Sequence, residues 1–375
     1  MGARKRLGLI FSFDDQWIGG TYYIINLIHA FNSFPDFHQP EIVIFSKPED
    51  FTRLRSEVNY QYLIYEFLYD LPLNKWQRGL NRLFGKKIFR RLFKGTVDFL
   101  FLNQMCGYLD SIPLSKRIYW IPDFQDKHFP DFFTDEGLRR KDEKSKWIAL
   151  NASHLILSSE SVRSDWMQFY PNHNCKVHVV RFAVTHALYN HLNIVDLLFK
   201  FGLSELYFMC PNQFWAHKNH MVVIRAAEIL KEQGRPVVIA FSGKENDNRN
   251  PGYTEKLKKY VSERGLDDVV RFLGFLNRTE QLQIMKHARA IIQPSMFEGW
   301  STVIEDAMAM NQPVIASDIP VNREQLGNDG VYFSFDDHVT LAELIYCDCL
   351  KLRSVEYNYQ NKLLAFAQNF MKIIS

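Results

Sequence analysis

What the chain lacks narrows it first. Its five cysteines, Cys106, Cys175, Cys210, Cys347 and Cys349, are scattered and odd in number, with no CxxC pair and no metal-ligand spacing. That pattern argues against a disulfide framework or a zinc site, and for reduced thiols in the cytosol. No apolar run reaches the roughly 18 residues of a membrane-spanning helix. The start, MGARKRLGLIFSFDDQW, has basic residues and then an apolar run, as a signal peptide does. The run is short, however, and leads into two aspartates instead of a small-residue cleavage site. It reads as a first buried strand. A net charge of only +3 names no partner by itself. No DxD metal motif, internal repeat or low-complexity tract is present.

What is there suits two domains: 375 residues, 47% hydrophobic and 23% charged. Short apolar runs alternate with longer amphipathic segments, the signature of an α/β protein with parallel sheets. The first half reads as strands at Leu7–Phe13, Glu41–Phe45, Val97–Leu102, Arg117–Ile121, Ser153–Leu157 and Val177–Val180. A loop over Asp14–Gly20 and a helix over Thr21–Phe31 follow the first strand. The second half restarts near Leu206, with strands at Leu206–Cys210, Pro236–Gly243, Val269–Phe272, Ala290–Gln293, Pro313–Ala316 and Val331–Phe333. Helices are expected at Met221–Gln233, Tyr253–Arg264, Thr279–His287, Thr302–Met310, Leu341–Leu350 and Tyr357–Ile374. Phe182–Ser204 reads as the linker. Two Rossmann-like, doubly wound domains (1–190 and 205–355) would then face each other across a cleft at the carboxyl ends of their strands.

One stretch carries the most chemistry, FEGWSTVIEDAMA from Phe297 to Ala309. It follows a strand and opens a helix. Gly299, Ser301 and Thr302 let backbone N–H groups approach an anion at a helix start, where the dipole favours negative charge. Glu298 sits on the loop, and Glu305 and Asp306 sit in the first turns of the helix. A loop acid for hydroxyls, a phosphate seat and a helix acid suit a nucleotide sugar. The plainer reading is a capped helix with surface acids, since Thr302 and Glu305 fit a capping box.

Three segments, in order, carry a family resemblance: NQFWAHKNHMVVIRAAEIL (Asn212–Leu230), VRFLGFLNRTEQLQIMKHARAIIQPSMFEGWSTVIEDAMAM (Val270–Met310) and QPVIASDIPVNREQLGNDGVYF (Gln312–Phe333). They resemble the retaining glycosyltransferases of the GT-B fold, family 4, also called glycosyl transferases group 1. The resemblance is strong from Leu206 to about Asp336 and weak in the first half. It implies a nucleoside diphosphate sugar as donor, a glycan or lipid-linked acceptor, and no cofactor or metal. It also implies that the last helix, over 356–375, returns to the first domain.

By the same resemblance, Glu298 is the first acid of the family's E-x7-E motif and holds hydroxyls of the transferred sugar. Asp306 stands where the second acid binds the ribose, one residue after Glu305. If Thr302 is the N-cap, Glu305 is occupied by capping and Asp306 is left for the ribose. Lys218 matches the diphosphate-binding lysine, and a fixed ammonium stabilises charge on a leaving diphosphate. Many relatives carry an arginine six residues earlier. Here that position is Asn212, so the site has one cation fewer unless Lys244 or another residue substitutes. Gly19 and Gly20 fall in the loop that approaches the diphosphate, where glycine permits close approach. In YWIPDFQDKHFP, Asp123 or His128 binds the acceptor hydroxyl or serves as its base. A surface-loop histidine is the competing reading for His128. Glu324 is expected to be structural.

The segment Lys75–Lys94, KWQRGLNRLFGKKIFRRLFK, holds eight basic residues and no acid. Trp76, Leu80, Leu83, Phe84, Ile88 and Leu92 share one helical face. The stripe reads as an interfacial helix on an anionic membrane, bringing the enzyme to a lipid-linked acceptor, as a domain helix with its apolar face in the core, or as both. Nucleic acid is not expected, because no nucleic-acid motif accompanies the stripe. The expectation is a cytoplasmic or peripheral enzyme. Its rivals are a non-catalytic nucleotide-sugar or glycan-binding subunit and a sugar-nucleotide epimerase of the same fold.

Overall fold

The computed structural model describes residues 4–13, 18–68, 83, 92–102, 106–186, 188–247, 249–347 and 356–374. Runs of buried apolar residues become the strands. In the first domain these are β1 (Arg6–Ile10), β2 (Glu41–Ser46), β3 (Leu63–Phe67), β4 (Phe99–Leu102), β5 (Arg117–Ile121), β6 (His154–Leu157) and β7 (Lys176–Val179). They form one sheet in the order β3-β2-β1-β4-β5-β6-β7, with every pairing parallel. The second domain holds β8 (Tyr207–Cys210), β9 (Val238–Phe241), β10 (Val270–Phe272), β11 (Ile291–Gln293), β12 (Val314–Ser317) and β13 (Val331–Phe333). Their order is β10-β9-β8-β11-β12-β13, again all parallel. A parallel sheet is covered on both faces, so its strands bury successive residues without alternation, as β5, β8 and β12 do. The winding reverses between β1 and β4 and between β8 and β11, and the crevice of such sheets opens at those switch points.

Several boundaries differ from the sequence reading. The first helix runs Ile18–Phe31, so Gly19 and Gly20 lie in its first turn and not in a loop. Neither glycine takes a positive φ. A first turn tolerates glycine because its N–H groups have no intrahelical partner to lose. The expected linker contains a helix, Ile194–Phe201, capped by Asn193 and closed by Gly202 at φ 61°. Strand β3 and the helices Pro48–Glu57, Asp135–Asn151, Glu160–Phe169 and Pro320–Leu326 also went unread. The helix near the second domain's end runs His338–Tyr346, started early by Asp337, whose carboxylate accepts from Val339 and Thr340 N–H. Its expected extension to Leu350 reaches residues outside those described, as do Asp14–Trp17. Of the basic stripe, only Leu83 and residues 92–94 are described. No helix among the described residues is long and apolar enough to cross a membrane. Cys175 and Cys210 are buried thiols, pushed up by burial to about 11 and about 12.

The two sheets are joined by more than a hinge. Helix Tyr359–Ile374 packs on Ile18–Phe31, with Phe366 edge-on to Tyr23 at 5.6 Å and Phe370 edge-on to Phe31 at 6.0 Å. Leu363, Phe366, Phe370 and Ile373 share one core with Leu7, Leu9 and Ile44 of the first sheet. Trp300, Ile319 and Val321 of the second domain join that core. Trp300 Nε1 donates to the Phe182 carbonyl at 3.0 Å. On the far side, the Glu324 carboxylate accepts from Glu160 N–H at 3.0 Å and Ser161 N–H at 3.2 Å, and pairs with Arg181 Nε at 2.6 Å. An acid side chain from one domain thus caps the helix Glu160–Phe169 of the other, where the dipole favours it.

Candidate active site

Strand β8 ends at Cys210, and the chain runs through Asn212–Trp215 before making one turn over Ala216–Lys218. Asn219 follows at φ 55°, a left-handed conformation that asparagine tolerates better than most residues. Its side-chain amide donates to the carbonyls of Pro294 and Phe335, at 3.3 and 2.6 Å. The turn carrying Lys218 is therefore tied to the loop after β11, which carries Glu298. Lys218 Nζ lies 2.5 Å from Glu298 Oε1, and the side chains are only 13% and 9% exposed. Gln293, at the end of β11, donates from Nε2 to the same oxygen at 2.8 Å and to Ser295 Oγ at 3.0 Å. Its Oε1 accepts from Asn212 Nδ2 at 3.0 Å. Asn212 is thus turned inward and buried, and it presents no side-chain group to the cleft in place of the missing arginine.

The helix Thr302–Ala309 starts one residue earlier than a Thr302 cap would allow. Ser301 is its N-cap, and its Oγ accepts from Ile304 N–H. The N3 position is then Ile304, so Glu305 is not part of a capping box. Gln325 holds the turn by accepting from Ser301 N–H at 3.0 Å and donating to Ser301 O at 2.8 Å. By helix geometry, the N–H groups of Thr302 and Val303 are those left for an outside acceptor.

Glu305 is buried and accepts from Gln325 Nε2 at 3.0 Å and from Tyr359 O–H at 2.6 Å. Burial raises its carboxyl above the ordinary range, and the Lys362 charge and these bonds offset this only in part. Asp306 is equally buried but held the other way. Arg278 grips it with two N–H groups, at 2.8 Å on Oδ2 and 2.5 Å on Oδ1, and His186 Nε2 donates to Oδ1 at 3.0 Å. Burial alone would push Asp306 up; the Arg278 charge and the His186 bond more than offset it and keep the carboxyl below its ordinary range. The two adjacent acids are thus one interior group tied to the last helix and one end of an ion pair.

Across the cleft, Asp123 follows β5, and its Oδ1 accepts from Gln125 N–H at 3.0 Å. The loop of Gly299 comes down on it directly. A Cβ at Gly299 would stand 2.1 Å from the Pro122 carbonyl oxygen and 2.9 Å from Asp123 Cβ, which only glycine avoids. Glu298 and Asp123 are thus neighbours across the domain boundary. His128 points elsewhere: its Nε2 pairs with Asp165 Oδ2 at 3.0 Å, and its ring lies 5.1 Å from that of Phe297. Among the described residues, nothing lies within 4 Å of where a side chain would stand on Gly19, in the first turn after β1. The structure therefore brings together Lys218, Glu298, Gly299 and Asp123, turns Asn212 and Glu305 inward, and gives Asp306 and His128 partners of their own. Among the described residues, no group of three or more His, Cys, Asp or Glu is placed to hold a metal.

Sequence reasoning missed Gln293, Arg278 and His186. A glutamine closing a buried apolar strand was the available signal for the first. Nothing local marks the other two, because their partner lies 28 and 120 residues away.

Residues 199–346 match the family model described as glycosyl transferases group 1. The O-antigen chain mannosyltransferase RfbU of Salmonella typhimurium is 27% identical over 234 residues, covering 62% of this chain and 61% of that protein. The capsular polysaccharide biosynthesis glycosyltransferase CapH of Staphylococcus aureus is 28% identical over 139 residues, covering 37% and 38%. The matches thus span less than two thirds of the length of either curated relative. Among solved structures, a glycosyltransferase from Rickettsia africae superposes with a TM-score of 0.64 at 15% identity, over 99% of this chain and 96% of that one. Anabaena HepE, solved with UDP and glucose, superposes with a TM-score of 0.63 at 16% identity, over 100% and 95%. The two facing parallel sheets are the GT-B fold of these solved structures.

Proposed function

We propose that the protein is a retaining, metal-independent glycosyltransferase that moves a hexose from a nucleoside diphosphate sugar to a hydroxyl of a surface glycan or lipid-linked acceptor. The observation that supports this most is the Lys218–Glu298 pair, set at the mouth of the crevice and aligned by Gln293. An ammonium for the leaving diphosphate and a carboxylate for sugar hydroxyls stand side by side, where the bond between those two parts of the donor must lie. Lys218 and the helix starts at Gly19–Gly20 and Thr302 meet the negative charge that grows on the leaving group. Glu298 holds the sugar, and Asp123 positions the acceptor hydroxyl.

In the reaction, the bond from the anomeric carbon to the diphosphate oxygen breaks. A bond to the acceptor oxygen forms on the same face, and the acceptor proton passes to the departing phosphate oxygen. The names of the relatives make a mannose nucleotide and UDP-glucose the first donors to try. The test incubates the protein with GDP-mannose, UDP-glucose and other nucleotide sugars, with and without lipid-linked acceptors, and follows nucleotide release. Acceptor-dependent release that survives chelation of metals and is lost in Glu298→Ala and Lys218→Ala is expected. Donor binding without turnover on any acceptor would leave a binding subunit instead. Co-flotation with anionic vesicles, lost when the basic residues of 75–94 are neutralised, tests the membrane contact.

A further inference from the structure

Between β9 and the helix Tyr253–Glu263, the chain sends Arg249 across the cleft. Its Nη1 donates to Gln125 Oε1 of the first domain at 3.3 Å, two residues past Asp123. Asp247 accepts from Arg249 Nε at 3.1 Å and from its backbone N–H at 3.0 Å, which fixes the direction of the guanidinium. The guanidinium carbon lies 4.8 Å from the centre of the Trp215 ring, and Trp215 O accepts from Lys218 N–H at 2.9 Å. Arg249 and Lys218 therefore flank one turn of chain. His217, in that turn, is held well below its ordinary range by burial first and then by the charges of Lys218 and Arg249. The His217 ring lies 5.6 Å from that of Trp215, in the turn that both cations flank.

Two buried polar atoms beside this cation have no partner among the described residues: Gln125 Nε2 and His217 Nδ1. Both side chains are more than nine-tenths buried. Buried polar atoms are rarely left unpaired, and exceptions call for a ligand, a water or a functional reason. The 3.3 Å contact to Gln125 is long for a charge-assisted bond, so little holds Nη1 in place once a stronger acceptor arrives.

We propose that Arg249, aimed by Asp247 and backed by Trp215, is a second phosphate ligand of this active site, binding a phosphate-ester oxyanion together with the Gln125 amide. This rests on the donor-site reading above and supplies the positive charge that Asn212 does not. The oxyanion belongs either to the donor's leaving diphosphate or to the phosphate of a lipid-linked acceptor, and Arg249 lies between the two domains that hold them.

The experiment measures binding of UDP, GDP and the matching nucleosides by calorimetry, and KM and kcat for a lipid diphosphate acceptor and for the same glycan without phosphate. It uses the full chain and the variants Arg249→Gln, Arg249→Lys and Gln125→Ala. If the leaving diphosphate is the ligand, Arg249→Gln weakens nucleoside diphosphate binding about tenfold to a hundredfold and leaves the nucleoside unchanged. If the acceptor phosphate is the ligand, nucleotide binding is unchanged, KM rises by a similar factor for the lipid diphosphate, and the phosphate-free glycan is unaffected. Arg249→Lys recovers part of either loss. Unchanged constants throughout, or a uniform loss that Gln125→Ala reproduces in full, overturn the proposal, because Arg249 is then only a bridge between domains. A native chain that binds neither diphosphate overturns the donor site itself, and Arg249's role with it.

Discussion

Gly299 and Pro122 meet backbone to backbone across the domain boundary, with room for a hydrogen and none for a methyl group. The contact sets how far the loop carrying Glu298 stands from Asp123. Gly299→Ala has to push the two domains apart by an ångström or more. Misplacement of that size costs roughly a hundredfold in turnover. We expect kcat to fall by that order and thermal stability to fall with it, since Trp300, next in the chain, belongs to the core the two domains share. A variant with native turnover would show that this separation is not critical.

Lys218 and Glu298 form a mostly buried pair, so removing either leaves the other charge without its partner. Each alanine variant should lower kcat by about 10²–10³. In denaturant unfolding, the double variant should be less destabilised than the sum of the singles, with a coupling of about 1–3 kcal/mol. Strictly additive losses would mean that the two side chains do not pair in solution.

Asp306 gives a pH signature. Its folded carboxyl sits below the ordinary value of 3.8. Its contribution to stability is therefore fully present above 3.8 and is lost as pH falls through the lower, folded value. Arg278 keeps 25% of its side chain exposed against 3% for Asp306, so the loss on Asp306→Asn is discounted to about 2 kcal/mol near neutrality. Below the folded value, the native protein and the variant should converge. A gap that persists in strong acid would assign the effect to packing and not to charge.

Glu324 caps a helix of the other domain, so Glu324→Ala removes an interdomain cap and the partner of Arg181. A loss of about 1–2 kcal/mol is expected, as for other helix caps. Amide exchange at Glu160 and Ser161 should rise. Exchange no faster than in the native chain would show that those N–H groups do not depend on the carboxylate.

Much of this was legible in the chain. The strands stood out because parallel sheets need continuous apolar runs, and IIQ at β11 or VIAS at β12 can be little else. Strand β3, LIYEF, escaped because it is only half-buried at the sheet edge and has the look of an amphipathic turn. Lys218 and Glu298 were legible as single residues, but their mutual distance was not, since 80 residues separate them. Glu305 shows the limit most clearly. Its spacing from Thr302 fits a capping box, yet the chain caps at Ser301, and the carboxylate is claimed by Tyr359 from the far end of the sequence. Periodicity and local spacing report which residues face inward, not which distant side chain they meet there.

The helix Tyr359–Ile374 closes the core of the first domain, although it is made after the second. During synthesis, then, the first sheet leaves the ribosome with Leu7, Phe31 and Phe101 lacking their last cover, and it stays so until the whole second domain has emerged. Domains usually fold in the order they are made. Here the first to appear is the last to be finished, and a chain stopped short of residue 359 would present that bare apolar face to chaperones and proteases.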